Sequence, residues 1–116
     1  MTMSAVVAGL PGDASAGGTL HDAGNGQFKL EGAMTMGTVT NLRSLGLRTF
    51  GQGSGPIEVD LSGVSRADSG GLALLIDWLA WARAARRALK YSSPPEAVLA
   101  LARLSDVEGL VLGTSE

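Results

Sequence analysis

The sequence predicts one α/β domain: a mixed β-sheet of about four to five strands with helices packed mainly on one face. Three observations lead there. Stretches with a period of two alternate with stretches at helical spacing, in the order β-β-α-β-α-β-α. Clusters of Gly, Asn and Pro separate them at lengths suited to single elements. At 45% apolar residues, a chain of 116 residues can bury one modest core.

Residues 1–18, rich in Gly, Ala and Ser, are expected to form a flexible tail, and residues 19–116 the domain. The apolar run Ala5 to Leu10 has no Lys or Arg before it, so it does not read as a secretory leader. Thr19–Ala23 and Gln27–Leu30 flank Gly24-Asn25-Gly26, whose residues tolerate the positive φ of a tight hairpin. Glu31-Gly32 is expected to end the second strand. Thr35 then caps a helix running to about Phe50, with Val39, Leu42 and Leu45 on its buried stripe. Gly51 to Pro56 is a linker turn; no Gly-Lys-Ser/Thr follows, so it is not a phosphate loop.

Ile57-Glu58-Val59-Asp60-Leu61 alternates apolar and acidic and reads as a strand, followed by a loop from Ser62 to Asp68. A long helix is expected from Ser69 to Leu89, with Leu72, Leu75, Ile76, Leu79 and Ala82 on its core face. A second stripe, Leu74, Trp78, Trp81 and Ala85, runs beside it. Packing under neighbouring helices is the favoured use of its tryptophans, and a secondary interface at Leu74, Trp78 and Trp81 the alternative. Arg83, Arg86, Arg87 and Lys90 suit the negative end of the helix dipole. Leu89 to Ser92 reads as a short strand. Ser93-Pro94-Pro95-Glu96 reads as a capping box opening a last helix to about Leu104, which buries Val98, Leu101 and Ala102. Leu110-Val111-Leu112 is a candidate edge strand.

Composition narrows the function. Eleven acidic against nine basic residues give a net charge of -2, which does not call for nucleic acid. Without cysteine there is no thiolate chemistry or Cys-ligated metal, and one histidine, His21, excludes a His-pair metal site. No carboxylate pair, metal cluster or nucleotide loop stands at useful spacing, so neither an enzyme nor a cofactor is expected. The longest apolar stretch, Gly70 to Ala82, contains Asp77 and is shorter than the ~20 residues of a helical membrane span. The expected location is the cytoplasm.

The run Val59-Asp60-Leu61-Ser62-Gly63-Val64-Ser65-Arg66-Ala67-Asp68-Ser69-Gly70-Gly71-Leu72 resembles the STAS family, in which a strand and short loop lead to Asp-Ser/Thr-x-Gly-Leu opening a helix. Continued through Ala73-Leu74-Leu75, it is most similar to the MlaB branch, as is the tail Ala97 to Leu104. The likeness runs from about Thr19 to the C-terminus. It implies a non-catalytic subunit that binds the MlaF-like cytoplasmic ATPase of a phospholipid ABC transporter, within a permease complex at the inner membrane, without entering the membrane itself. The alternative is an anti-sigma factor antagonist that binds a kinase and is phosphorylated on Ser69; a relative of anion-permease tails is a third reading. The antagonists usually carry Gly-Glu-Leu/Ile-Asp where this chain has Gly32-Ala33-Met34-Thr35, and a second hydroxyl where Gly70 stands. Both differences lean away from sigma-factor control.

The residues expected to bind the partner are Asp68, Ser69, Gly70, Gly71 and Leu72, with Met34 and Thr35 beside them. Ser69 is read as the helix cap, its hydroxyl accepting from the N–H of Gly71 or Leu72. Each Gly costs ~1 kcal/mol against Ala within a helix, so two in the first turn imply that something comes close to the backbone there. A partner protein is the expected visitor.

Overall fold

The computed structural model describes residues 18–107 together with Gly109 and Val111. Its elements are β1 (Gly18–Gly24), β2 (Gln27–Met34), α1 (Val39–Phe50), β3 (Ile57–Ala67), α2 (Ser69–Ala84), β4 (Leu89–Ser92) and α3 (Glu96–Leu104). The predicted order is therefore the observed one. The four strands form one mixed sheet in the order β1-β2-β3-β4, the first pair antiparallel and the other two parallel. The tail expected for residues 1–18 lies outside the described residues except Gly18, which already belongs to β1.

One face of the sheet carries the core. Leu20, Phe28, Leu30, Ile57, Val59, Leu61 and Tyr91 point inward and meet the buried side chains of all three helices in a single cluster. The alternate positions Thr19, His21, Lys29, Glu31, Glu58 and Asp60 are exposed or half-buried. Along that polar face Glu31 meets His21 at 3.0 Å and Lys29 at 3.5 Å.

Two strands outrun their sequence patterns. β2 continues through Glu31-Gly32 to Met34, and β3 continues through the expected loop to Ala67. The reason is an irregular register. Lys29 pairs with Asp60 but Glu31 with Gly63, and Gly32 pairs with Val64 but Ala33 with Arg66, so β3 holds an extra residue at each step. The Asp60 carboxylate accepts the Ser62 N–H at 2.8 Å across the first of these bulges. That bond lowers the Asp60 pKa. Beyond Leu61 the inward side chains no longer alternate, which disguises the strand as a loop.

Helix boundaries also shift. α1 begins at Val39 rather than after Thr35, and its N-cap Thr38 makes no side-chain cap bond. α2 ends at Ala84, five residues before Leu89, because Arg86 takes φ +60°. Arg86 N–H then donates to Arg83 O and Arg87 N–H to Ala82 O, closing the last turn as a Schellman motif and freeing the chain to start β4. At α3 the cap is Pro95, not Ser93, whose φ is +52°. Val98 and Ala102 are buried there and Leu101 is half-buried. Val111 is helical and donates its N–H to Val107 O, so it is not an edge strand; Leu110 and Leu112 lie outside the described residues.

The core line of α2 runs between the two stripes read from sequence. Leu72, Leu74, Leu75, Trp78 and Ala82 are buried, whereas Ile76 and Leu79 are half-buried. Trp78 is 0% exposed and sits edge-on to Phe50, itself edge-on to Phe28, with ring centroids 5.1 Å apart in both pairs. Gly46 of α1 faces the indole with no room for a Cβ. Leu74 and Trp78 are thus core residues and not a secondary interface. Trp81 is half-buried between Phe50 and the Arg87 guanidinium, which lies 5.7 Å from its ring centroid. Arg87 also donates to Gly55 O at 2.9 Å and to Phe50 O, pinning the Gly51–Pro56 turn.

Candidate functional site

The C-terminal ends of β2 and β3 lie side by side, Met34 pairing with Ala67. Each strand then turns into a helix, β2 into α1 and β3 into α2. The residues singled out by sequence gather at these two turns, and one side chain joins them.

That side chain is Asp68. It is the N-cap of α2, in extended conformation, and its Oδ1 accepts the N–H groups of Gly70 at 2.8 Å and Gly71 at 3.2 Å. The same carboxylate accepts the Met36 N–H, 3.1 Å from each oxygen. Asp68 N–H meanwhile donates to Met34 O at 3.3 Å. One residue therefore caps α2 and fastens the β2–α1 turn to it. The Met36 N–H, followed by those of Gly71 and Gly70 and by the charge of Arg66, holds the carboxyl below the usual aspartate range against its partial desolvation. Ser69, expected to be the cap, is instead the first helical residue, and it is exposed. A carboxylate cap at this position is favoured by the helix dipole as well as by its hydrogen bonds.

The β2–α1 turn has its own fastening. The buried Thr38 hydroxyl donates to Ala33 O at 2.9 Å and accepts the Thr35 N–H at 3.0 Å. Thr35 O accepts from the N–H groups of Thr38 and Val39, both at 2.9 Å. Thr38 thus spends its hydroxyl on the turn rather than on capping α1.

The glycine pair is explained within the chain. A Cβ on Gly71 would strike the carbonyl group of Met34, and one on Gly70 would lie 2.6 Å from the Met36 Sδ and 3.0 Å from its Cα. What comes close to the first turn of α2 is the chain's own β2–α1 turn, not a partner protein. Met34 is fully buried, and Gly70, Gly71 and Leu72 are buried with it. Of the seven residues expected at the partner surface, Ser69 is exposed and Asp68 and Thr35 are half-buried.

The sequence reading missed Met36 and Thr38. Met36 is 69% exposed and lies over Gly70, the residue that follows Ser69. Its signal was available: a long apolar residue in a Thr-Met-Gly-Thr turn, between a strand and a helix whose core positions are filled by others. Gly37, Thr40, Ser69 and Ala73, small or hydroxyl residues of the same two junctions, are exposed as Met36 is. Nothing in that set is a general base or nucleophile–base pair.

A mixed sheet covered by helices on one face, with its junction carboxylate committed to backbone N–H groups, defines a small α/β domain. The chain belongs to the STAS family in its MlaB form: the family model described as Mlab, STAS domain matches residues 20–112. The domains of this family are regulatory and mediate protein–protein contacts. No curated protein matches the chain. Among the described residues, no helix is long and apolar enough to cross a membrane.

Proposed function

We propose that this chain is a non-catalytic assembly and regulatory subunit that docks on the cytoplasmic ATPase of an ABC transporter for phospholipids. Membership in the MlaB form of the STAS family supports the partner class. The observation that carries the docking face is the exposed Met36–Ser69 pair, held on a scaffold that Asp68 makes rigid from both sides. The physical role is to present a preformed edge. Because the two turns are already bonded to each other, little conformational entropy is lost on binding. Docking there would favour the assembled, ATP-competent dimer and maintain lipid transport, with this chain held at the inner membrane by its partner.

The test is co-purification of the full chain with the ATPase subunit. Ser69→Glu places charge at the centre of the face, and Ala73→Arg places bulk one helical turn further on; both positions are exposed, so both variants keep the fold. Loss of the ATPase from both, with unchanged circular dichroism, is the expected result. Retention by both removes the reading. Gly70→Arg does not serve, because Gly70 is packed against Met36.

The exposed Ser69 hydroxyl also supports the second reading, an anti-sigma factor antagonist phosphorylated there. Asp68 does not separate the two readings, because the family pattern places an Asp before the hydroxyl residue in the antagonists as well. What weighs against the second is Gly32-Ala33-Met34-Thr35 in place of Gly-Glu-Leu/Ile-Asp and Gly70 in place of a second hydroxyl. Incubation with the cognate serine kinase decides: phosphate on Ser69 favours the second reading and its absence the first.

A further inference from the structure

We propose that the docking face is switched by reversible oxidation of Met36: the thioether form binds the partner and the sulfoxide form does not. The inference rests on the docking reading above and names a regulation of that face.

The two methionines among the described residues have opposite environments. Met34 is 0% exposed and Met36 is 69% exposed. Susceptibility of a thioether follows access, so a small oxidant reaches Met36 while Met34 is protected by the core. Met36 is also held in place. Its N–H is gripped by both oxygens of Asp68 at 3.1 Å, and its Sδ and Cγ lie against Gly70 so closely that a Cβ there would be 2.6 and 2.9 Å away. The Gly70 side of the sulfur is filled, so an added oxygen emerges on the solvent side.

The step uses a peroxide, with hydrogen peroxide as the simplest case. A sulfur lone pair attacks one peroxide oxygen; the S–O bond forms, the O–O bond breaks, and the departing hydroxide takes the remaining peroxide proton to become water. Sulfur loses two electrons and the peroxide gains them. The product carries a strong dipole where an apolar, polarisable side chain stood. A contact that desolvates the thioether favourably must then desolvate an S–O dipole, which costs binding unless a donor meets it. Methionine sulfoxide reductase with a dithiol reverses the change.

The experiment treats the full chain with hydrogen peroxide, maps oxidised peptides by mass spectrometry, and measures affinity for the ATPase subunit before treatment, after it, and after reductase. Met36→Leu is carried in parallel, and it keeps Met1 and Met3 as oxidisable residues. Expected are sulfoxide at Met36 and not at Met34, an affinity lowered by about tenfold or more, as for loss of a central contact, and recovery after reductase. Met36→Leu should bind alike with and without peroxide. Undiminished binding by the oxidised wild type, or an equal loss by Met36→Leu, overturns the switch and leaves the docking reading intact. Failure of the untreated chain to bind removes the docking reading and this inference together.

Discussion

Gly71→Ala separates the two explanations of the glycine pair. Were the space reserved for a partner, the isolated domain would gain from alanine, by up to ~1 kcal/mol of helix propensity and less in a first turn. The structure requires the opposite. The new methyl would meet the Met34 carbonyl, with the Met34 Cγ 2.9 Å away. That carbonyl cannot simply retreat. It accepts the Asp68 N–H at 3.3 Å, and Met34 closes β2 in register with Ala67. Overpacking of this kind costs ~1–3 kcal/mol, so after a first-turn propensity gain of about 0.5 kcal/mol a net loss of roughly 0.5–2.5 kcal/mol is expected. For a small domain each kcal/mol lowers Tm by about 4 °C or more. Urea unfolding of the isolated chain, followed by circular dichroism, measures the loss directly. A Gly71→Ala variant as stable as the wild type would refute the close-approach argument and return the glycines to a partner.

Other expectations follow from the same geometry. Ser69→Ala should change stability by less than about 0.5 kcal/mol in a thermal melt, because the cap is Asp68; a loss near ~1 kcal/mol would restore Ser69 as the cap. Asp68 has a folded pKa below the ordinary value of 3.8. Its contribution is therefore complete above that value and disappears as pH falls through the folded pKa, so Asp68→Asn should flatten the acid limb of a stability–pH curve and leave Asp60 as a remaining contributor. An unchanged acid limb would count against the carboxylate clamp. Trp78→Ala should cost ~3–5 kcal/mol as a core truncation. Trp78→Phe should cost less, because a ring still fills most of the slot and the indole N–H that is lost has no hydrogen-bond partner among the described residues; equal losses in urea unfolding would contradict this.

The order of elements and the hairpin were legible in the chain. They follow from local chemistry: Gly24-Asn25-Gly26 tolerates the φ values of a tight turn, Ile57 to Leu61 alternates, and the apolar residues of α2 recur at helical spacing. Helix ends departed from the pattern through local turns at Arg86 and Ser93, whereas in the strands and the core a non-local partner was responsible. β3 extends beyond Leu61 because β2 supplies hydrogen bonds to a bulged strand that its own alternation does not announce. Trp78 is central because Gly46 and Phe50, more than 25 residues earlier, make a slot for it.

The candidate site divides in the same way. Asp68, Ser69 and the glycine pair stand together in sequence, and their place at a helix start is readable from residue type alone. Which of Asp68 and Ser69 caps that helix, what the glycines admit, and that Met36 rather than Met34 reaches the surface were decided by the packing of the β2–α1 turn on α2. Periodicity and propensity act over a few residues, so they determine elements; a carboxylate 32 residues from the N–H it accepts is positioned only when the sheet brings both strand ends together.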